Sequence, residues 1–289
     1  AVIGVRDPFA FHIREHANLA VHDGTRRVDF EQDASGVTVA TEKGEVLRAR
    51  YLVGADGANS RVSRLLNLRG DRKMGMAIEA EVPAGSDFLE AYKDTALFIF
   101  GTPANGYQWV FPKAEHLSVG IGTFATGASD LPSTLNREME RIGIALDGVR
   151  LRGHPLPVHW AREPLHQDRV LLVGDAAGLM DPLLGEGIRY AVDSGHLAAQ
   201  AILDDRVTDY TRSVHRKIGR DLLWGRRWAQ LFYAHPRRSF DFGVRNPRFV
   251  KEFLRLFAGE MTYRRMAFRA LPNLILGLGE RLPVHHGNV

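Results

Sequence analysis

Residues 169–191 read RVLLVGDAAGLMDPLLGEGIRYA. The apolar run Arg169–Val173 is typical of a buried β-strand, and it ends at Gly174-Asp175. Gly185 and Gly187 then open a helix that the spacing of apolar residues predicts over 186–203. A strand with an acidic tip, followed by a glycine-led helix, indicates an open α/β sheet. Such sheets bind ligands at the carboxyl ends of their strands.

A second acidic strand tip lies earlier in the chain, where residues 50–60 read RYLVGADGANS. The short apolar strand Arg50–Gly54 leads into Asp56-Gly57. Gly57 has no Cβ, so the backbone there can approach a phosphate or a ribose. Asp56 can accept hydrogen bonds from ligand hydroxyls, or it can simply cap the helix predicted over 59–68. Both interpretations of Asp56 are open at this point.

The chemistry of the first tip favours a flavin. Asp175 is suited to accept hydrogen bonds from ribityl hydroxyls, and the first-turn amides of the following helix can face a flat ring. These amides and the helix dipole favour negative charge nearby, and reduced flavin is anionic at N1 and C2=O. The alternative is a glycine-rich helix start that only allows close packing. Two acidic strand tips in one chain argue against that alternative.

The helix predicted after Gly187 has an apolar stripe at spacings of three and four residues. We expect this stripe to face the core. Its members are Ile188, Ala191, Val192, Gly195, Ala198, Ala199 and Ile202.

Residues 73–125 alternate in hydrophobicity as β-strands do, which predicts a separate sheet. Tyr107, Trp109 and Phe111 fall on one face of a strand because side chains alternate. Three aromatic rings on one face could form a wall for a large apolar ligand, but spacing alone favours the hydrophobic core of the sheet. The nearby Gly120-Ile121-Gly122 lacks a third glycine and a following helix, so it is not interpreted as a phosphate loop.

The predicted organisation is discontinuous. Residues 1–70 and 154–208 form an α/β ligand-binding domain, residues 71–153 form an inserted antiparallel β-sheet domain for the substrate, and residues 209–289 form a helical tail. Further helices are predicted over Phe9–Ala20 and Leu131–Leu146. Proline divides the tail at His235-Pro236, Asn246-Pro247 and Leu271-Pro272.

Composition sets broad limits. The 289 residues are 45% hydrophobic and 25% charged, as in ordinary globular proteins. No cysteine is present, which excludes disulfides, iron–sulfur ligation and thiolate zinc sites and is consistent with a reducing compartment. The net charge is +4, with its positive excess late in the chain. That basic segment is interpreted first as a solvated helical face, and second as a surface for anionic lipids or nucleic acid.

Together these motifs resemble the geranylgeranyl reductase family of FAD-dependent oxidoreductases, within the superfamily built on a glutathione-reductase-like FAD domain. The resemblance is most specific over Gly174–Ala191. It is also clear at Tyr107–Pro112, where an aromatic stretch is followed after seven residues by Gly120-Ile121-Gly122. Arg6-Asp7-Pro8-Phe9, followed by Ile13 and Ala17, is similar to the family's Arg-x-x-Phe-Asp-x-x-Leu segment, with Ala10 where Asp is usual.

The resemblance implies a Rossmann-like FAD domain and the reduction of isolated C=C bonds in a prenyl lipid. Electrons would come from transiently bound NAD(P)H or from a ferredoxin-type donor, since no second dinucleotide fingerprint is present. The implied FAD-binding residues are Arg6, Asp56, Gly57, Gly174, Asp175, Pro182, Gly185, Glu186, Gly187 and Ile188. The implied substrate-binding residues are Tyr107, Trp109, Phe111 and Pro112. No catalytic residue is assigned; the candidate proton donors are Tyr107, His154 and His159.

One departure from the family pattern stands out. The N-terminal strand–GxGxxG–helix unit that holds the FAD pyrophosphate is missing from this sequence. We therefore expect the chain to lack about one mononucleotide-binding half. If so, the adenosine end of FAD has no cradle within it.

Several alternatives are open at this level. The same scaffold serves aromatic hydroxylases and halogenases, although the Trp-x-Trp-x-x-Ile stretch expected of a halogenase is absent. A truncated, non-catalytic fragment is another alternative. A metal site at Asp175, Asp181 and Glu186 fits the spacing less well than flavin contacts, so no metal is predicted. We expect a cytoplasmic protein that can meet a membrane surface, with a prenyl lipid and no nucleic acid as its partner.

Overall fold

A computed structural model of the chain describes residues 28–68, 73–125, 127, 130–158 and 161–269. Several predicted features lie outside these residues: Arg6, the helix Phe9–Ala20, His159 and the boundary at Leu271-Pro272.

The described strands form three sheets. In chain order they are β1 Val28–Asp33, β2 Gly36–Thr41, β3 Val46–Ala49, β4 Leu52–Gly54, β5 Lys73–Pro83, β6 Leu97–Phe100, β7 Gly106–Pro112, β8 His116–Thr123, β9 Arg152–Val158, β10 His166–Gln167 and β11 Val170–Leu172. The sheet orders are β1-β2-β3, β10-β11-β4 and β6-β7-β8-β5-β9. Only the β4–β11 pair is parallel among the strand pairs of the described residues.

The helices lie between the sheets and after them. They are α1 Arg61–Leu65, α2 Ser86–Ala91, α3 Leu131–Arg141, α4 Ile188–Leu203, α5 Tyr210–Val214, α6 Arg220–Ala234, α7 Pro236–Arg245 and α8 Pro247–Phe257. Short 3₁₀ turns cover Gly174–Ala177 and Val207–Asp209, a π-helical turn covers His215–Gly219, and residues 263–269 are also helical. The predicted α/β architecture with an antiparallel sheet and a helical tail is confirmed.

Proline positions agree with the predicted division of the tail. Pro236 and Pro247 occupy the first turns of α7 and α8, where the missing N–H costs nothing. The helix predicted over Leu131–Leu146 is too long, because α3 ends at Arg141 and Gly143 follows with φ of +79°. A left-handed residue just after a helix is a common way for it to end.

Two faces of the five-stranded sheet have different roles. On one face, Val110, Val119 and Ile121 pack with Leu135 and Met139 of α3 in a buried core. The other face carries Tyr107, Trp109 and Phe111 of β7, together with the residues paired with them on the neighbouring strands. The predicted domain boundary between residues 153 and 154 falls inside β9, which pairs with β5 over its whole length. The sheet therefore extends to Val158.

The predicted inward face of α4 is correct at Ala198 and Ile202, which pack in the core, and wrong toward the start of the helix. Ile188 and Val192 are 57% and 55% exposed, whereas Tyr190, Ser194 and Leu197 are buried. The physical reason is that two polar side chains find buried partners. The Ser194 hydroxyl accepts a 2.9 Å hydrogen bond from the Gly174 amide, and the Tyr190 hydroxyl lies 3.5 Å from an Asp181 carboxylate oxygen. Apolar spacing alone does not register such partners.

Close packing at Gly54 joins β4 to its neighbours. A Cβ at this position would lie 2.8 Å from Cγ1 of Val62 on α1 and 2.9 Å from Cδ2 of Leu172 on β11. Both distances are shorter than normal carbon–carbon contact. Glycine at the end of β4 therefore allows the helix and the adjacent parallel strand to approach together.

We predict that Gly54→Ala lowers the free energy of unfolding by about 1–3 kcal/mol, because the added methyl overpacks a filled core. Urea unfolding followed by circular dichroism measures the effect. Gly153→Ala is the matched control, since a Cβ there meets nothing within 4 Å. Equal unfolding midpoints for the two variants would show that the close approach at Gly54 is not needed.

Candidate active site

The parallel pair β4–β11 brings the two acidic tips to one edge. Its register matches Leu52 with Val170 and Gly54 with Leu172, and the Val173 amide donates a 3.0 Å hydrogen bond to the Gly54 carbonyl. Asp56 follows Gly54 by two residues, and Asp175 follows Leu172 by three. Because adjacent strands lie about 4.8 Å apart, both carboxylates stand beside the same end of the sheet.

Asp56 acts as a helix cap. Its Oδ2 accepts hydrogen bonds of 2.6 Å and 3.1 Å from the amides of Arg61 and Val62, at the start of α1. Gly57 has φ of +77° and open space where a Cβ would lie. The capping interpretation of Asp56 thus describes its contacts in this chain, and the open backbone at Gly57 remains suited to a nearby ligand.

Gly174 is a packing residue. Its φ is +53°, and a Cβ there would lie 2.9 Å from the Cβ of Ala191 on α4. Its amide donates a hydrogen bond to the Ser194 hydroxyl. Glycine at this strand end therefore sets how closely α4 approaches β11, and with it the position of the whole helix.

The N-terminus of α4 forms an open cradle. Gly187 precedes the helix, and no side chain caps the first-turn amides. A Cβ on Gly187 would lie 3.0 Å from Oδ1 of Asp175, so the carboxylate stands directly beside the helix start. Gly185 has φ of +68°, a conformation that other residues rarely adopt. The first-turn amides, a positive helix end and an adjacent carboxylate fit a ring that carries negative charge and a polyol chain.

The remaining predicted cofactor residues of this segment differ in their surroundings. Pro182 is buried and Ile188 is largely exposed. Glu186 forms an ion pair with Arg189, with 3.1 Å between the carboxylate and the guanidinium. Arg189 in turn donates a 2.8 Å hydrogen bond to the Tyr190 hydroxyl and stacks over its ring.

Asp181 is the most deeply buried acid near the cradle, with no solvent exposure. Its Oδ1 accepts hydrogen bonds of 2.8 Å from the amides of Leu183 and Leu184 and from the Tyr263 hydroxyl. Burial raises the pKa of Asp181 to about 6, against the lowering effect of these donors, and the charge of Glu186 raises it further. The carboxylate holds the turn that leads into Gly185.

Two tyrosines hold the carbonyl side of the same turn. The Tyr107 hydroxyl, on β7, donates to the Leu184 carbonyl, and the Tyr233 hydroxyl, on α6, donates to the Leu183 carbonyl at 3.3 Å. Burial raises the pKa of both hydroxyls above the usual tyrosine value. The β-sheet and the helical tail therefore meet at the turn beside the cradle.

Tyr107, Trp109 and Phe111 form an aromatic wall and not the core of the sheet. Their rings are half-buried, whereas Gln108 and Val110 between them point into the core. Ring centroids are 6.0 Å apart for Tyr107 and Trp109, and 6.3 Å for Trp109 and Phe111. The preference for a core position, which spacing alone favoured, is corrected here. Pro112 ends the strand beside the wall.

The wall extends beyond the predicted residues. Phe98 of β6 lies 5.7 Å from Tyr107 and 5.2 Å from Phe111, measured between ring centroids. Sequence alternation identified the strand Leu97–Phe100 but gave no reason to place Phe98 and Phe100 at the site. The pairing of β6 with β7 supplies that reason, since Phe98 stands opposite Trp109 and Phe100 opposite Tyr107.

Small residues form a floor next to the wall. Two rows of paired residues cross the sheet from β6 to β9. One row is Phe100, Tyr107, Gly122, Ala77 and His154. The other row is Phe98, Trp109, Gly120, Glu79 and Arg152. A Cβ on Gly120 would lie 2.1 Å from the Trp109 indole. Gly120 and Gly122 therefore leave room for the Trp109 ring to lie on the sheet, and they do not form a phosphate loop.

The helical tail covers the wall from the other side. Ring centroids of Phe257 and Phe98 are 4.9 Å apart, and those of Phe232 and Phe100 are 5.3 Å apart. Phe240 also contacts Phe100, at 5.8 Å. The tail thus supplies site residues that sequence analysis missed, because nothing in the order of residues connects 232–257 with 97–111.

Polar groups lie on the far part of the same sheet face. His154 Nε2 is 3.9 Å from an oxygen of Glu79, whose other oxygen accepts a 2.8 Å hydrogen bond from Ser118. Ala77 and Gly122 separate His154 from Tyr107 along one row. Across the residues that the structure describes, no three His, Asp or Glu side chains are grouped as metal ligands; Glu186 and Asp181 have the partners given above.

The sequence is similar to the sequences of known proteins. A family model described as the FAD binding domain matches residues 8–139. The chain is 37% identical over 164 residues to the chloroplastic geranylgeranyl diphosphate reductase of Nicotiana tabacum, covering 55% of this chain and 34% of that one. It is 34% identical over 210 residues to digeranylgeranylglycerophospholipid reductase 2 of Methanothermobacter thermautotrophicus, covering 66% and 53%.

A solved structure agrees in fold. A geranylgeranyl bacteriochlorophyll reductase-like protein of Thermoplasma acidophilum superposes with a TM-score of 0.66 and 24% identity, covering 79% of this chain and 63% of that one. The chain spans between about a third and just over half of the length of the curated relatives that it matches. The chain is thus similar to FAD-dependent oxidoreductases named as geranylgeranyl reductases.

Proposed function

We propose that this protein is a flavin-dependent reductase of C=C bonds in prenyl chains of the geranylgeranyl type. One observation carries the proposal: the Tyr107 hydroxyl binds the Leu184 carbonyl, so the aromatic wall begins at the turn that leads into the glycine cradle. A long apolar chain lying on the wall would therefore pass beside a ring held in the cradle. The named activities of the two relatives support the substrate class.

The chain's own residues would hold FAD at one edge of the α/β sheet. The Asp175 carboxylate would accept hydrogen bonds from ribityl hydroxyls, and Gly57, Gly185 and Gly187 would leave room for the cofactor. The uncapped amides of α4 would face the pole of the ring that becomes negative. When bound, FAD supplies the hydride for the reduction.

The aromatic wall and the tail would position the prenyl chain and exclude water. Each buried CH₂ group contributes about 0.8 kcal/mol to binding before ordering costs, so a long chain can be bound by apolar contact alone. Gly120 lets the Trp109 ring lie close to the sheet, so that the ring bounds the path of the chain. Tyr107 is a poor proton donor here, since burial raises its pKa and its hydroxyl is bound to Leu184.

Electrons would reach the flavin from NAD(P)H that binds transiently or from a ferredoxin-type donor. The rate of anaerobic flavin reduction, measured with NADPH, with NADH and with a reduced ferredoxin, distinguishes the two sources. The reagent that bleaches the bound flavin fastest identifies the donor class.

FAD binding tests the cradle directly. We predict that Gly187→Val raises the Kd for FAD at least about tenfold, a loss of about 1.4 kcal/mol, because the new side chain would displace the Asp175 carboxylate. Quenching of flavin fluorescence on titration of the protein measures the Kd. Gly195→Val, in the same helix but with open space around it, should bind FAD as the parent does. Equal affinities for both variants would remove Gly187 from the site.

Turnover tests the wall. With FAD, dithionite and a panel of geranylgeranyl lipids, we expect products heavier by two hydrogens per reduced bond, detected by mass spectrometry. Trp109→Ala should lower kcat/KM about tenfold or more because a ring that bounds the chain is lost. Leu203→Ala, an exposed position on α4, is the control. Oxygen uptake triggered by an aromatic substrate would instead support a monooxygenase, and a colourless protein would support a non-catalytic fragment.

We further propose that the tail meets an anionic membrane surface, where prenyl lipids reside. None of the helices in the described part of the chain is both long and apolar enough to span a bilayer. However, residues 209–269 hold fifteen Lys and Arg against five Asp and Glu. One side of α8 lines an open groove with Pro247, Val250, Leu254 and Ala258, flanked by Lys251 and by Arg255, which is paired with Glu260 in the same lining. Apolar side chains between cations are suited to anionic lipid.

Vesicle binding tests this surface. We predict that Lys251→Glu lowers co-sedimentation with phosphatidylserine-containing vesicles about tenfold or more, because each basic residue near such a surface contributes about 1 kcal/mol. Leu203→Glu, an exposed position on α4, is the control for added negative charge. Binding that is equal for neutral and anionic vesicles would contradict the electrostatic part of the proposal.

A further inference from the structure

Besides Tyr190 of α4, which lies 3.5 Å from Asp181, three tyrosines from more distant elements hold one short turn. Residues Asp181–Leu184 accept hydroxyl hydrogen bonds from Tyr107 of β7, Tyr233 of α6 and Tyr263. We call these four turn residues and three tyrosines the tyrosine clamp. The turn leads directly into Gly185 and the N-terminus of α4, so whatever fixes the turn also fixes the cradle.

The acceptor at the centre of the clamp is a fully buried carboxylate. Moving a charge from water into the protein interior is costly unless donors surround it. Oδ1 of Asp181 has three donors at 2.8 Å, two from its own turn and one from Tyr263, which is 82 residues later in the chain. Breaking one partner of such a group is far more disruptive than breaking an exposed hydrogen bond.

The Tyr263 ring packs closely against α6. A Cβ on Gly225 would lie 2.8 Å from the Tyr263 ring, so α6 approaches that ring without a side chain between them. Leu183 and Leu184 share one buried cluster with Ala229, Leu256 and Tyr263. The same helices carry Phe232 and Phe257, which cover the aromatic wall. The cover and the cradle are therefore attached to each other through this cluster.

We propose that Asp181 is a positioning residue that fastens the helical tail to the turn before α4, so that the cover of the aromatic wall and the cradle keep a fixed relation. The proposal rests on the flavin site proposed above. Asp181 touches no reacting atom of the proposed reaction. It acts through the Leu183 and Leu184 amides on one side and through Tyr263 on the other.

Charged and titratable groups near Asp181 come from each element packed against it. They are Glu186 of the same loop, Arg189 and Tyr190 of α4, Tyr107 of β7, Asp221 and Tyr233 of α6, and Tyr263. Burial raises the pKa of Asp181 to about 6, while the Tyr263 hydroxyl lowers it. The carboxylate therefore loses its proton as the pH rises through about 6. Protonation weakens hydrogen bonds that ionisation had strengthened.

The first experiment is a pH titration of the bound-flavin absorption spectrum of the holoenzyme. We expect a transition near pH 6 in the parent protein, loss of the transition in Asp181→Asn, and a shift to higher pH in Tyr263→Phe, which removes a donor to the ionised form. Tyr210→Phe is the matched control. The hydroxyl of that buried tyrosine donates a 2.7 Å hydrogen bond to the Leu172 carbonyl, which is outside the turn. A transition unchanged in both Asp181→Asn and Tyr263→Phe overturns the proposal.

The second experiment needs no flavin and separates this proposal from the proposed function. Hydrogen exchange of the peptide covering residues 181–187 should be several-fold faster in Tyr263→Phe than in the parent, and unchanged in Tyr210→Phe. Equal acceleration in both variants would show a loss of stability without coupling and would overturn the clamp. If the protein binds no FAD but exchange still responds only to Tyr263→Phe, the flavin assignment fails and the coupling stands.

Discussion

Three residue pairs join β4 and β11 in parallel, from Leu52 with Val170 to Gly54 with Leu172. Parallel pairing sends the chain out of both strands at the same edge. Everything proposed for the flavin follows from that edge, since Gly57, Asp175 and the N-terminus of α4 all lie beside it. Glycine at positions 54 and 174 permits the close approach of α1, β11 and α4 on which the edge depends. A bulkier residue at either place would move a helix and a carboxylate together.

The five-stranded sheet serves two purposes because its faces are chemically different. One face is a conventional core, packed on α3 through side chains such as Val110 and Leu135. The other carries aromatic rings on β6 and β7 and small residues on β8 and β5. This combination gives a wall beside a low floor, which suits a long and narrow apolar molecule better than a compact one. The substrate class proposed here depends on that shape.

The helical tail completes the site from a distance in sequence. Its aromatic side chains meet Phe98 and Phe100, and its tyrosines bind the turn at Asp181–Leu184. A buried carboxylate at the junction is costly, and its donors come from separate elements. The arrangement therefore forms only when sheet, turn and tail are all in place. Its basic charge gives the tail a second surface, directed toward anionic lipid in our proposal.

Local patterns in the sequence were enough to predict the two acidic strand tips, the glycine-led helix and the shared face of Tyr107, Trp109 and Phe111, because strand period, turn residues and helix starts depend on near neighbours. They failed for the inward face in the first half of α4, where Ser194 and Tyr190 turn inward to buried partners, and for the length of α3. Phe98, Phe232 and Tyr263 came to the site only through strand pairing and packing between distant segments. Spacing along the chain determines which face a residue occupies, whereas the partner opposite that face is decided by contacts across the tertiary structure.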